Sequence, residues 1–146
     1  DNYNGYNLIF NNNNKFYWYS NIKNRINNLL PGIYGLSNHL LDTPWPKVER
    51  GKQLLQKCLN NNQLGDDQIM NILKNNSIPD DSKLPDTGIG LKYERVLSPI
   101  FITSPVYGTR SSTVIKMDKN GKILFREDTY NHKQKVFTAK EFSFQI

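Results

Sequence analysis

A chain of 146 residues is long enough for one domain with one core, burying about 68–70% of its unfolded surface, and too short for a second. Only 37% of the residues are hydrophobic, and the polar excess is mostly asparagine, about 20 residues with nearly all of them before position 77. The formal charge of +6 comes from scattered basic residues without an aromatic-basic motif, which argues against nucleic acid as a partner.

No apolar run approaches the roughly 18 residues needed to cross a bilayer, so no transmembrane segment is expected. The single cysteine, Cys58, excludes an internal disulfide and fits a reducing compartment. The short tracts Asn11 to Asn14 and Asn60 to Asn62 suit loops, since polar amides have no reason to pack.

In chain order, Tyr6 to Phe10 and Lys15 to Ser20 are β-rich runs joined by Asn11 to Asn14, which predicts an antiparallel hairpin with a four-residue loop. Phe16 and Trp18 alternate with Tyr17 and Tyr19, so one pair should face the core. Ile33 to Ser37 reads as a short strand ending at Asn38. Asp42-Thr43-Pro44-Trp45-Pro46 then supplies capping oxygens and a helix-starting proline, and Val48, Leu54, Leu55, Cys58 and Leu59 recur at helical spacing. A first helix over Trp45 to Leu59 follows.

A second helix starts at Asp66 as N-cap, with Ile69, Met70, Ile72 and Leu73 as its buried side. Asn75 to Gly90, with three aspartates, two prolines and two glycines, reads as a long loop. Arg110 to Met117 alternates toward Asp118-Lys119-Asn120-Gly121, a strong hairpin turn, with Ile123 to Glu127 as the return strand and Val136 to Phe144 as one more. Strands, then helices, then strands predict an α+β fold.

Two dense runs of special residues stand out: Gly32 to Lys52, and Tyr107-Gly108-Thr109-Arg110-Ser111-Ser112-Thr113-Val114. With Gly5 to Leu8, Leu84 to Gly88 and Glu94 to Ile102, they resemble the transport and Golgi organisation protein 2 family, also called the NRDE family. Members of that family begin with Met-Cys and carry an Asn-Arg-Asp-Glu run, and neither is present here. The resemblance therefore implies a C-terminal portion, residues 1–146, of a single family domain whose N-terminal portion lies elsewhere.

The resemblance also implies a fold: part of an αββα sandwich like that of the N-terminal-nucleophile hydrolases, with antiparallel sheets and two helices. In function it implies a non-enzymatic intracellular factor in Golgi organisation and secretion, handling haem or an acyl lipid as cargo. The implied setting is cytoplasmic, with Golgi or mitochondrial association and peripheral membrane contact as further candidates. The alternative is an amidohydrolase whose cysteine nucleophile lies outside this chain. There Asn38 would help hold the oxyanion and Arg110 would sit beside the nucleophile, where an amide donor and a guanidinium serve those ends.

Each residue has a structural alternative. Asn38 could cap the turn into Leu40 to Thr43, and Arg110 could pair with Asp86 or Glu94 to pin the long loop. Cys58 shares a helical face with Leu54, Leu55 and Leu59 and reads as a core thiol. His39 and His132 lack metal-ligand spacing, so no metal site is expected, and no haem motif nominates His, Cys58 or Met70 as axial ligand. Trp45, held between two prolines, is either a staple for the helix start or an anchor for an apolar ligand.

Overall fold

The computed structural model describes residues 3–13, 15–131 and 133–145. It is α+β, with two antiparallel three-stranded sheets and three helices. The chain divides into two compact units between Pro44 and Trp45, with one sheet in each.

The first unit is built on β1 (Asn7–Asn12), β2 (Lys15–Ser20) and β3 (Arg25–Leu29), in the order β1-β2-β3. The predicted hairpin forms with a tighter connection than expected. Asn11 and Asn12 extend β1 by pairing with Phe16 and Lys15, and Asn13 takes φ 51°, a left-handed conformation that asparagine tolerates. Trp18 and Ser20 are buried on one face of β2. The other face carries a stack of Phe10 on Tyr17, with ring centroids 5.4 Å apart. β3 escapes the sequence reading because Asn27 and Asn28 interrupt its alternation. Its place is fixed by the pairing of Ile26 with Tyr19 and Leu29 with Phe16.

Residues 33–37, expected to be a strand, form no ladder. The backbone there closes on itself: Asp42 N donates to Gly35 O at 2.7 Å, and Asp42 Oδ1 accepts from Gly35 N at 2.8 Å. Asn38 therefore sits in a bend and not at a strand end.

The second unit begins with α1 (Pro46–Asn60), which matches its prediction within a residue. Its N-cap is Trp45, with no side-chain cap bond, and Pro46 opens the first turn. α2 (Asp66–Leu73) likewise has Gly65 and not Asp66 at the N-cap. The Asp66 carboxylate pairs with Lys116 instead.

The expected loop from Asn75 holds one 3-10 turn, Asp81–Lys83, and is followed by an unpredicted third helix, α3 (Leu91–Leu97). That helix lacks a capping signature, and its one fully buried residue is Glu94, so apolar periodicity could not reveal it.

β4 (Ser111–Met117), β5 (Lys122–Tyr130) and β6 (Val136–Gln145) form the second sheet in that order. The β4–β5 turn is the predicted one: Asp118 Oδ1 accepts from Asn120 N at 2.8 Å and Lys122 N at 3.0 Å, and Gly121 supplies φ 81°. α2 packs against β4, and ion pairs tie it to the sheet at both ends. Asp67 meets Arg126 at 2.7 Å and Lys74 meets Asp128 at 2.9 Å. Between them Met70 is 1% exposed, with Val48, Val114, Phe101 and Tyr130 also buried. Phe101 meets Tyr130 edge-to-face at 4.7 Å. The other face of the sheet leaves Ile115, Met117, Phe142 and Phe144 exposed.

Candidate functional site

The run around Asn38 is a closed loop with its tip in solvent. Gly35 and Asp42 form its base, and Asp42 adopts φ 55° to turn the chain. Inside the loop, Thr43 Oγ1 donates to Leu40 O at 2.8 Å and lies 2.8 Å from His39 Nδ1. The loop is tied to the sheet through Asn7, whose Nδ2 donates to His39 O at 2.9 Å and whose Oδ1 accepts from Trp18 Nε1 at 2.9 Å.

Asn7 is the positioning residue that the sequence reading passed over, although it lies within the notable run Gly5 to Leu8. The Asn38 side chain is exposed and bonded to no other described residue, so it caps no turn; Thr43 does that instead.

Arg110 lies at the entry to β4. Its carbonyl accepts from Tyr130 N at 2.9 Å, and its exposed guanidinium pairs with no other described residue. The loop before it is ordered by Thr109, whose Oγ1 accepts from Ile102 N at 2.9 Å, and by Ser104, whose hydroxyl donates to Tyr107 O at 2.6 Å.

Arg110 does not pin the Asn75–Gly90 loop. Buried Glu94 does so by accepting from Thr87 N at 2.7 Å and Thr87 Oγ1 at 2.5 Å. Arg95 adds a two-pronged bond to Asp81, through Nε to Oδ1 at 2.9 Å and Nη2 to Oδ2. Asn38 and Arg110 fall in different units, and each is presented to solvent by a bonded frame.

Cys58 is half-buried on α1, a partial match to the core thiol expected. His132 lies outside the described residues. Among the described residues no three His, Cys, Asp or Glu side chains are grouped to hold a metal, and no helix is long and apolar enough to cross a membrane. Trp45 is half-buried, with Lys47 Nζ 5.9 Å from its ring centre.

Neither of two grooves, one in each unit, was visible in the sequence. The groove in the first unit is about 440 Å³ and runs along the end of β3 and the turn after it. Phe16, Leu29, Leu30, Pro31 and Tyr34 give it an apolar lining, and Lys15 supplies a cation. Tyr34 is held by donation from its hydroxyl to Leu30 O at 2.9 Å, which fixes its ring against the turn. The groove in the second unit, about 410 Å³, has a polar and basic lining.

The profile of a family described as Transport and Golgi organisation 2 matches residues 1–132. The chain is 40% identical over 111 residues to the Transport and Golgi organization protein 2 homolog of Bos taurus. It is 36% identical over 111 residues to the Transport and Golgi organization 2 homolog of Mus musculus, and 36% over 107 residues to the Transport and Golgi organization protein 2 homolog of Homo sapiens. Each match covers 68% of this chain and 39% of the relative, so the chain spans well under half the length of these curated relatives.

Proposed function

The chain belongs to the Transport and Golgi organisation 2 family, and from that premise we propose that it serves a Golgi-related role as a non-enzymatic carrier of an acyl lipid. The observation that supports this reading is the apolar groove of about 440 Å³ in the first unit. Grooves of this size are in the range that holds small ligands, with an apolar lining for the body and a few polar groups for orientation. Phe16, Leu29, Leu30 and Tyr34 would contact an acyl chain, and Lys15 would attract its carboxylate or headgroup.

Haem, the other candidate cargo, fits this groove less well. The lining holds no His, Cys or Met, and the Tyr34 hydroxyl is engaged with Leu30 O. A cytoplasmic setting, with contact at Golgi or mitochondrial membranes, belongs to the same proposal.

The test is displacement of an environment-sensitive fluorescent fatty acid by oleate, with Leu30→Asp alongside. Leu30 is 67% exposed, so the variant places a charge in the groove without disturbing a core. Saturable binding lost in Leu30→Asp is the expected result, and no saturable binding by the parent chain would defeat the proposal.

A second reading is an amidohydrolase-like enzyme on an αββα sandwich, its nucleophile a cysteine absent from this sequence. What favours it is that Asn38 and Arg110 both offer solvent-facing side chains with no bond to another described residue. In a reading frame that opens with Met-Cys, that cysteine should react with an electrophilic acyl probe. Unchanged reactivity in Asn38→Ala and Arg110→Ala would remove the supporting roles assigned to them.

A further inference from the structure

We infer a second ligand site, independent of the acyl groove: the basic groove of the second unit takes a phosphate-bearing small molecule. The groove is about 410 Å³, and its lining includes Lys47, Glu49 and Arg50 of α1, Lys83 of the 3-10 turn, and the apolar Ile78 and Ile100. The lining carries three cations and one carboxylate, with Asp80 facing Lys83 and the charge of Glu94 acting on Lys47 from outside it. What selects a phosphate is its three strong acceptor oxygens, one for each of the three cationic donors.

Each cation is available. Lys47 Nζ donates to Leu97 O at 2.9 Å, which leaves two of its three N–H donors for a ligand. Its side chain is half-buried, and burial lowers its pKa while the charge of Glu94 works in the opposite direction. A partly desolvated ammonium gains more from an incoming anion than one in water, because the local dielectric is lower.

Arg50 pairs with no other described residue, and its planar fork can take two phosphate oxygens at once. Lys83 faces Asp80 at 3.8 Å with both groups exposed, a pairing weak enough to yield to a better anion. Ile78 and Ile100 offer contact to an organic body. The groove's size, about 410 Å³, favours a small molecule over a nucleic acid backbone.

The phosphate could be free or the headgroup of a lipid, so the test has two arms. The full chain is titrated calorimetrically with inorganic pyrophosphate at low salt, and its binding to phosphatidylcholine vesicles with and without phosphatidic acid is measured in parallel. Wild type is compared with Arg50→Gln, Lys83→Gln and the control Lys122→Gln. All three side chains are exposed, so the variants keep the fold.

The expected result is saturable binding of at least one probe, weakened about tenfold by Arg50→Gln and by Lys83→Gln, the size of one charge-assisted hydrogen bond, and unchanged by Lys122→Gln. Binding to pyrophosphate identifies a soluble ligand, and binding confined to phosphatidic acid vesicles identifies a headgroup. No saturable binding of either probe overturns the inference. So does equal weakening by all three variants, the mark of diffuse surface attraction. Leu30→Asp should leave pyrophosphate binding intact, so failure of the acyl proposal and failure of this one are separable.

Discussion

Asp128 shows what a single side chain decides in this protein. It is 2% exposed, and burial alone would push its pKa up. The hydrogen bond and charge of Lys74, followed by the charge of Arg126, outweigh burial and hold it below the ordinary carboxylate value. A carboxylate with a depressed folded pKa stabilises the fold above its unfolded value of about 3.9, and that contribution is lost as pH falls through the folded pKa.

Asp128→Asn is therefore expected to cost about 1.5–3 kcal/mol at pH 7, the worth of hydrogen bonds to a charged group. The gap from wild type should narrow as pH drops below about 4. Urea denaturation at neutral and acid pH checks both statements, and a gap independent of pH would contradict them. Asp128 was not legible in the sequence, where it is one polar position in a strand. Its burial depends on α2 lying over that face, which only the tertiary fold reveals.

Glu94 carries a similar lesson. It lies in a run singled out by its unusual residues, yet the sequence offered Arg110 as its partner. The structure gives it Thr87. Glu94→Ala leaves the Thr87 donors without their buried acceptor and should cost about 1–3 kcal/mol, measurable by thermal unfolding. Proteolysis within 75–90 should become faster as the loop loses its pin.

Among the elements, α2 is the most informative. Its periodicity predicted a buried side of Ile69, Met70, Ile72 and Leu73, and Met70 proves to be the most buried of the four. Met70→Ala should cost about 2–5 kcal/mol, a large share of the stability of a domain this size. By contrast, Phe142→Thr on the exposed sheet face, which loses a cross-strand ring contact with Phe125 at 6.3 Å, should cost no more than about 1 kcal/mol. Equal losses in the two variants, compared by chemical denaturation, would mean that this face is covered in solution.

The elements with clear local grammar were readable: the α1 periodicity, the Asp118–Gly121 turn, and the strands on either side of it. β3 was hidden by its asparagines and α3 by its charged buried face. The Ile33–Ser37 strand was predicted from composition but finds no partner, because Gly35 and Asp42 bond to each other. Gly88, with φ 84° and nothing near its missing side chain, marks a backbone constraint that composition did flag as loop. Gly88→Ala should cost about 1–2 kcal/mol from left-handed strain alone.

For the molecule as a whole, the family was legible because the notable runs span most of the chain, and residues 1–132 match the family profile. The grooves were not legible, since their linings come from residues far apart in sequence: Lys15 with Tyr34 in one, Lys47 with Ile100 in the other. The net charge of +6 reads as a scattered surface in one dimension, and in three it places three cations around one groove.

The most direct test of the carrier proposal is to record amide chemical shifts of the full chain while oleate is added. The carrier account predicts saturable shifts concentrated at Phe16 and Leu29 to Tyr34, abolished by Leu30→Asp. Shifts that spread over the exposed face of β4 to β6, or none at all, would contradict it.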